Sequence, residues 1–193
     1  MNPAEMLTVM EEKGAILHGH FKLSSGRHSD VFAQKFRVLE HPGLAQRFGE
    51  EIADLFDRRF DVVASPAVGA LVLGFTTALA AGTRMIFAER AGGGLEFRRG
   101  FRIAPHERVL IVEDVVTTGG SAREVVNLVH AADGTVVGIG ALIDRADAAR
   151  AADLGAPLRA LVKLESQSWA PEVCPLCEAG RPLEDPGSPR LGA

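Results

Sequence analysis

The sequence lacks the marks of several protein classes. It contains no run of eighteen apolar residues, so no segment is predicted to span a membrane. Residues 1–13 alternate apolar and acidic positions as an amphipathic helix does, without the basic start and apolar block of a signal peptide, which predicts a cytoplasmic protein. Basic residues are not in excess, since 21 Lys and Arg stand against 25 Asp and Glu. The net charge of −4 argues against a nucleic-acid partner.

Cysteine is scarce as well. Both cysteines lie in Cys174-Pro175-Leu176-Cys177, and a zinc site needs two further ligands, which no neighbouring His or Cys supplies. His18, His20, His28 and His41 cluster in the N-terminal third, but their spacings match no common zinc motif. We therefore expect no metal site within the chain. The cysteine element is interpreted as a C-terminal turn, with a metal or disulfide between subunits as the alternative.

The middle of the chain alternates helical and strand-like patterns, within a length of 193 residues that fits about one domain. Helices are predicted over 41–59, 70–81 and 121–132, and strands over 61–65, 84–88, 108–113, 134–143 and 158–164. This order predicts an α/β fold with a parallel, doubly wound sheet. We expect residues 1–40, together with the strand near Leu158, to cap the carboxyl edge of the sheet. Residues 95–103 are predicted to form a polar hairpin outside the core, and residues 166–193 a loosely ordered tail.

The stretch from Val109 to Ser121 carries the strongest functional signal. Val109 to Val112 predict a buried strand, and Glu113 and Asp114 follow at its carboxyl end, where open α/β sheets bind ligands. The next residues, Thr-Thr-Gly-Gly-Ser, lead into a helix for which Ser121 and Glu124 predict a capping box. Backbone N–H groups at such a helix start bind phosphate. No Lys follows the glycines, so the loop is not a Walker A motif.

Three further elements are predicted to open onto the same edge. The loop Ser65 to Ala70 follows a strand and can present N–H groups to a second anion. Glu89 to Gly94, with Arg98 and Arg99 beyond it, predicts a glycine-hinged basic lid that can deliver cations to a developing negative charge. Arg145 ends another strand, and its planar guanidinium suits a carboxylate.

The Val109–Ser121 stretch resembles the 5-phosphoribosyl 1-diphosphate (PRPP) motif of type I phosphoribosyltransferases. Phe21-x-Leu23-x-Ser25-Gly26-x-x-Ser29 resembles the N-terminal signature of the orotate phosphoribosyltransferases. The resemblance covers about residues 14–150. It implies the type I phosphoribosyltransferase fold, as a single domain with a small N-terminal hood made from about residues 1–40 and part of the C-terminal region. It also implies Mg²⁺ bound mainly through PRPP, without metal ligands from the chain.

The implied activity is transfer of the 5-phosphoribosyl group from PRPP to orotate, which releases pyrophosphate and forms orotidine 5'-monophosphate in pyrimidine biosynthesis. By resemblance, PRPP is bound by Glu113, Asp114, Val115, Val116, Thr117, Thr118, Gly119, Gly120, Ser121, Arg90, Ala67 and Val68, with a strained or cis peptide near Ala67-Val68. Orotate is assigned to Thr117, Arg145, Ser25 and Gly26, and the catalytic roles to Glu113, Asp114 and Arg90. The lid is expected to serve the partner subunit of a homodimer.

The sequence departs from the family pattern at two places. Ser24 stands where the family has Lys, and the lid lacks the family's additional Lys and His. Only Arg90 aligns with the family's lid residues, so the identity of the catalytic lid cation stays open, with Arg98 or Arg99 as its substitute. Two alternatives stay open at this point. One is a phosphoribosyltransferase for another base such as a purine, and the other is a non-catalytic regulator that senses PRPP.

Overall fold

A computed structural model describes residues 1–23, 25–145 and 153–186. Its helices are α1 (Pro3–Glu12), α2 (Phe36–Leu39), α3 (Pro42–Leu55), α4 (Leu71–Ala81), α5 (Gly120–Ala131) and α6 (Pro175–Glu178), with a 3-10 turn at Pro171–Val173. Its strands are β1 (Ile16–Lys22), β2 (His28–Ala33), β3 (Val62–Pro66), β4 (Arg84–Ala91), β5 (Gly94–Phe97), β6 (Arg108–Val116), β7 (Thr135–Asp144), β8 (Leu158–Lys163) and β9 (Ser168–Trp169). The chain forms two compact units, residues 1–3 with 39–164 and residues 4–38 with 165–193.

The first unit is built on a six-stranded sheet in the order β5-β4-β3-β6-β7-β8. All neighbouring strands are parallel except β4 and β5, which form an antiparallel hairpin. The predicted parallel, doubly wound sheet is therefore confirmed. The strand order reverses between β3 and β6, because β4 lies to one side of β3 and β6 to the other. Ligands of open α/β sheets bind at such a switch point, beyond the carboxyl ends of the strands.

Burial of both sheet faces explains the continuous apolar runs in the sequence. All five residues of β3 are buried, as are Val109 to Val112 in β6. Helix α5 packs Val125, Val126 and Val129 into the same core, which also contains Ile86 and Ile139. Because strands covered on two faces have no polar side, their sequences show no alternation. The core thus fixes the strand ends from which the candidate site loops begin.

The second unit contains a three-stranded antiparallel sheet in the order β1-β2-β9. Strand β9 belongs to the C-terminal segment and pairs with β2 through His28 and Ser29. Further along, the Lys22 N–H donates to the Glu184 carbonyl, and the Glu184 N–H donates to the His20 carbonyl. The C-terminal segment therefore adds to both sides of the N-terminal hairpin.

The structure corrects three expectations about segments. The strand near Leu158 belongs to the main sheet, where it pairs with β7, and does not join the N-terminal region. Leu95 and Ile103 lie in the hydrophobic core of the first unit, so residues 95–103 are not a purely polar hairpin. Residues 166–186 contain β9, a 3-10 turn and α6 and are not a loosely ordered tail, whereas 187–193 lie outside the described residues. That the N-terminal region caps the sheet edge stays a prediction.

Among the described residues, no helix combines the length and apolarity that crossing a bilayer would require.

Candidate active site

Two neighbouring carboxylates lie at the carboxyl end of the central strand β6. Glu113 and Asp114 are both more than nine-tenths buried. The Asp114 N–H donates to Glu113 Oε1 at 3.0 Å, and the Val115 N–H donates to Asp114 Oδ1 at 2.6 Å. An ionised carboxylate acts only as a hydrogen-bond acceptor, and the hydroxyls of a sugar are hydrogen-bond donors. Glu113 and Asp114 therefore suit a sugar ligand.

The loop after β6 has the conformation of an anion cradle. Thr117, Thr118 and Gly120 are exposed, and α5 begins directly after the loop, with its first intrahelical bond from the Arg123 N–H to the Gly119 carbonyl at 2.9 Å. The earlier N–H groups of the helix have no partner within it, and the positive end of the helix dipole points the same way. A phosphate at this position would receive these N–H groups.

Gly119 is required at its position for two independent reasons. Its φ of 74° lies in the left-handed region that side chains disfavour. A Cβ on this residue would also lie 2.0 Å from Cδ2 of Leu154, which is itself fully buried against α5. Leu154 therefore restricts the residue type at position 119, although it lies more than thirty residues away in the sequence.

Helix α5 does not begin with the predicted capping box. Its N-cap is Gly119, ahead of the expected Ser121, and no side chain caps it. Glu124 instead accepts both a salt bridge from Arg90 Nη1, at 2.9 Å to each carboxylate oxygen, and a hydrogen bond from the Leu95 N–H at 2.8 Å. The glutamate thus joins α5 to the β4–β5 hairpin.

The second predicted anion loop lies across the switch point from the first. It follows β3, which is the neighbour of β6 in the sheet. The peptide bond between Ala67 and Val68 is cis, as the resemblance implied. The Ala67 N–H donates to the Ala88 carbonyl at 2.8 Å, and Val68 is exposed. Because neighbouring strands are about 4.8 Å apart, the two loops flank one crevice.

Arg145 lies beside the first loop. It directly follows β7, and its N–H donates to the Val116 carbonyl at 2.8 Å. Val116 is the last residue of β6, and Thr117 begins the loop that follows it. The backbone of Arg145, at the end of the neighbouring strand β7, is therefore adjacent to the start of this loop. The structure thereby brings together Glu113 to Ser121, Ala67, Val68 and Arg145 at one edge of one sheet.

The predicted lid is a β-hairpin in this structure. Ala91 pairs with Gly94, which leaves Gly92 and Gly93 as a two-residue turn with φ of 59° and 98°. Positive φ at both positions is typical of the type I′ turns that close hairpins. The glycines are therefore turn residues here, in place of the expected glycine-hinged loop. That this hairpin acts as a lid stays a prediction.

Two arginines near the hairpin are held by carboxylates. Arg90 is bound to Glu124 as described, and Arg99 donates to both oxygens of Glu89, at 2.8 and 3.1 Å. The hydrogen bonds from Arg99 lower the pKa of Glu89. Both arginine side chains are more than half exposed. Exposed ion pairs of this kind are weak, so a ligand with several negative charges can compete for either arginine.

The two remaining predicted residues, Ser25 and Gly26, lie in the second unit, in the turn between β1 and β2. The Gly26 N–H donates to the Leu23 carbonyl, and the Leu23 N–H donates to the Arg27 carbonyl, both at 2.8 Å. Gly26 has a φ of 79°, which suits this turn. Their part in binding orotate stays a prediction. Ser24, where the family pattern has Lys, lies outside the described residues.

A cluster of four potential metal ligands was missed by the sequence analysis. His20, His28, Cys174 and Cys177 bring one ligand atom each to within 4.8 Å of all the others. The expectation that no histidine lies near the cysteine element is therefore wrong. Pairing of β9 with β2 carries the C-terminal segment to the hairpin that holds both histidines. The sequence signal that could have indicated the cluster was the pair of histidines eight residues apart, His20 and His28, on either side of a glycine-containing turn.

The fold and the site define a phosphoribosyltransferase. The chain matches the phosphoribosyl transferase domain family over residues 37–157 and belongs to that family. It is 45% identical, over 99% of this chain and all of the relative, to an orotate phosphoribosyltransferase of Pelotomaculum thermopropionicum. It is 43% identical, with the same coverage, to one of Caldanaerobacter subterraneus subsp. tengcongensis. A crystal structure of orotate phosphoribosyltransferase from Aeropyrum pernix matches 82% of this chain and 93% of its own, with a TM-score of 0.70 and 26% identity.

Proposed function

We propose that this protein is an orotate phosphoribosyltransferase, which transfers the 5-phosphoribosyl group of PRPP to orotate and releases pyrophosphate. The observation that carries the proposal is the pair of buried carboxylates joined to an anion cradle at the switch point of the sheet. Relatives that share more than two-fifths of the sequence over their full length carry the same name. The proposal includes a cytoplasmic location, because PRPP carries several negative charges and orotate is an anion, and neither crosses a membrane unaided.

The proposed binding mode follows the order of the loops along the sheet edge. The 5'-phosphate is assigned to Thr117 to Ser121, whose N–H groups and hydroxyls complement its charge. Glu113 and Asp114, with the backbone of Val115 and Val116 beside them, face the ribose hydroxyls. The diphosphate is assigned to the loop with Ala67 and Val68. Orotate is assigned to Thr117 and Arg145, whose guanidinium pairs with the carboxylate, and by resemblance to Ser25 and Gly26.

The chemistry needs positioning and charge more than proton transfer. As the bond from the ribose to pyrophosphate breaks, positive charge builds on the sugar ring and negative charge on the leaving group. Glu113 and Asp114 lie where they would stabilise the ring, and the cradle holds the sugar in line with the attacking nitrogen of orotate. Mg²⁺ prefers oxygen ligands, which the diphosphate of PRPP supplies. When bound through PRPP, that ion neutralises charge on the leaving group.

Arg90 is the proposed cation for the leaving diphosphate. Its present partner, Glu124, holds it at the surface through a pair that contributes about 1 kcal/mol or less. A diphosphate offers several negative charges and can draw the guanidinium away. Arg99 is similarly held by Glu89 and is the second candidate. In the proposal these arginines act in the site of a partner subunit.

An exposed apolar stripe supports the proposed homodimer. Val72, Phe75 and Leu79 lie at helical spacing on α4, and Phe75 and Leu79 are 62% and 61% exposed. Val68, 72% exposed, extends the stripe to the diphosphate loop. A patch of this kind marks a protein interface. We expect wild-type protein to elute as a dimer in size-exclusion chromatography with light scattering and Phe75→Glu to elute as a monomer, and a monomeric wild type would contradict this part of the proposal.

The activity is tested by following the absorbance of orotate with purified protein, PRPP and Mg²⁺. We expect orotate consumption that depends on PRPP and releases pyrophosphate in equal amount. Adenine, xanthine and uracil are the matched alternative acceptors. Faster turnover of a purine would favour a purine phosphoribosyltransferase. PRPP binding without turnover of any base would favour a non-catalytic regulator. Either outcome would replace the proposal.

A further inference from the structure

The second unit brings the ligand atoms of four potential metal-binding side chains to within 4.8 Å of one another. His20 Nε2 lies 3.1 Å from His28 Nδ1, 3.5 Å from Cys174 Sγ and 3.7 Å from Cys177 Sγ. Cys177 Sγ lies 3.3 Å from His28 Nδ1. With Zn–N near 2.0–2.1 Å and Zn–S near 2.3 Å, a tetrahedral site places its nitrogens about 3.3 Å apart and nitrogen and sulfur about 3.6 Å apart. The observed separations agree with both values.

The tautomer of the neutral His20 ring is selected by a backbone carbonyl. Its Nδ1 lies 2.9 Å from the Arg181 carbonyl, to which only a protonated nitrogen can donate. In the neutral ring Nε2 then carries a lone pair, and Nε2 is the atom that faces the other three ligands. Metal-binding histidines commonly donate their second ring N–H to a backbone carbonyl, which orients the ring.

Burial and chain connectivity also fit a structural metal site. His20, His28 and Cys174 are buried, whereas Cys177 is exposed and leaves a path for a metal ion to enter. The two cysteines flank Pro175-Leu176 at the start of α6, and the C-x-x-C spacing is typical of zinc ligands. The histidines are on paired strands, β1 and β2, whose hydrogen bonds fix the backbone that carries the two rings.

We infer that His20, His28, Cys174 and Cys177 form a structural zinc site of the Cys₂His₂ type. Two neutral imidazoles and two thiolates balance the charge of Zn²⁺, and binding releases the two thiol protons to solvent. All four positions are taken by protein ligands, as in structural rather than catalytic zinc sites. Thiolate and imidazole ligands in a tetrahedron select zinc over Mg²⁺ and Ca²⁺, which prefer oxygen.

The site would join the ends of the chain within the second unit. Cys174 and Cys177 follow β9, and His20 and His28 flank the turn that holds Ser25 and Gly26. A metal bridge here links the C-terminal segment to the N-terminal hairpin independently of the strand hydrogen bonds. Loss of the metal would therefore lower the melting temperature, whatever reaction the protein catalyses.

The experiment is metal analysis of the purified, tag-free protein. We expect about one zinc ion per chain by inductively coupled plasma mass spectrometry. Replacement by Co²⁺ should give thiolate-to-cobalt charge transfer and the intense visible bands of a tetrahedral ion. Cys177→Ser should lose most of the zinc and the charge-transfer band and lower the melting temperature. His28→Asn should lose the zinc as well.

His18→Asn is the matched control, because His18 lies on the same strand but is exposed and bonded to Glu11, away from the cluster. It should keep the full zinc content. Thiol titration of denatured wild-type protein without reductant should find both cysteines free. Wild-type protein without zinc that also fails to bind Co²⁺, or a Cys174–Cys177 disulfide, would overturn the inference. The wild-type measurements decide the matter even if the Cys177→Ser chain does not fold.

Discussion

Replacing Gly119 by Ala tests the link between packing and phosphate binding most sharply. An alanine at a φ of 74° costs about 1–2 kcal/mol. Its Cβ would also lie 2.0 Å from the Leu154 side chain, and overpacking of a buried site costs about 1–3 kcal/mol more. If the loop keeps its shape, stability falls by about 2–5 kcal/mol and the melting temperature by roughly 5–20 °C. If the loop moves instead, the cradle is lost and the KM for PRPP rises.

Gly82→Ala is the matched control for the backbone part of this effect. Gly82 has a φ of 66° and ends α4, and a Cβ added to it would lie more than 4 Å from every residue other than its neighbours along the chain. It should lose only about 1–2 kcal/mol, with unchanged KM for PRPP. Calorimetry and initial-rate kinetics on both variants, and on Gly119→Ala combined with Leu154→Ala, separate the two contributions. Wild-type stability and wild-type KM for PRPP in Gly119→Ala would refute the reasoning.

Three further predictions concern charged groups. Asp114→Asn should lower kcat about 10²- to 10³-fold by removing charge that faces the sugar, with an unchanged melting temperature, and a wild-type rate would remove the ribose contact. Arg145→Ala should raise the KM for orotate about 10- to 150-fold and leave that for PRPP unchanged, because charged hydrogen bonds contribute about 1.5–3 kcal/mol. Equal effects on both substrates would contradict its assignment to orotate. Hydrogen bonds from Arg108 lower the pKa of Asp61 from 3.8 to about 2. The stabilisation from this pair is therefore present above pH 3.8 and lost as pH falls toward 2, so Asp61→Asn and wild type should converge in acid denaturation curves over that range.

The fold was predictable because its main signals are local. The apolar run Val109 to Val112 predicts a buried strand, which is β6. The two acids and the small residues that follow predict a loop and then the start of a helix. The doubly wound order follows from alternating patterns and the handedness of the connections. These elements needed no knowledge of distant contacts.

What the sequence did not reveal depends on distant partners. Ser121 and Glu124 match the capping box, but the salt bridge to Arg90 and the bond from Leu95 compete for the glutamate, and the helix begins with a left-handed glycine instead. Leu158 begins a short apolar strand whose pattern contains no information about its neighbour. The Gly119 contact with Leu154 likewise depends on the complete fold.

The four-ligand cluster is the largest omission, for the same reason. Known zinc motifs place ligand pairs at fixed short spacings. Here the two histidines are eight residues apart on paired strands, and the cysteines lie about 150 residues further on. The pairing of β9 with β2 and the hydrogen bonds of Glu184 to β1 bring them together. The predicted lid differs from the observed hairpin for another reason. Three consecutive glycines are compatible with both a flexible hinge and a tight hairpin turn.

The most direct test of the central claim is a crystal structure of the protein with PRPP and Mg²⁺. We predict that the 5'-phosphate lies against the N–H groups of Thr118 to Ser121 and that the ribose hydroxyls lie within hydrogen-bonding distance of Glu113 and Asp114. PRPP bound elsewhere, with this loop in contact only with solvent, would contradict the account.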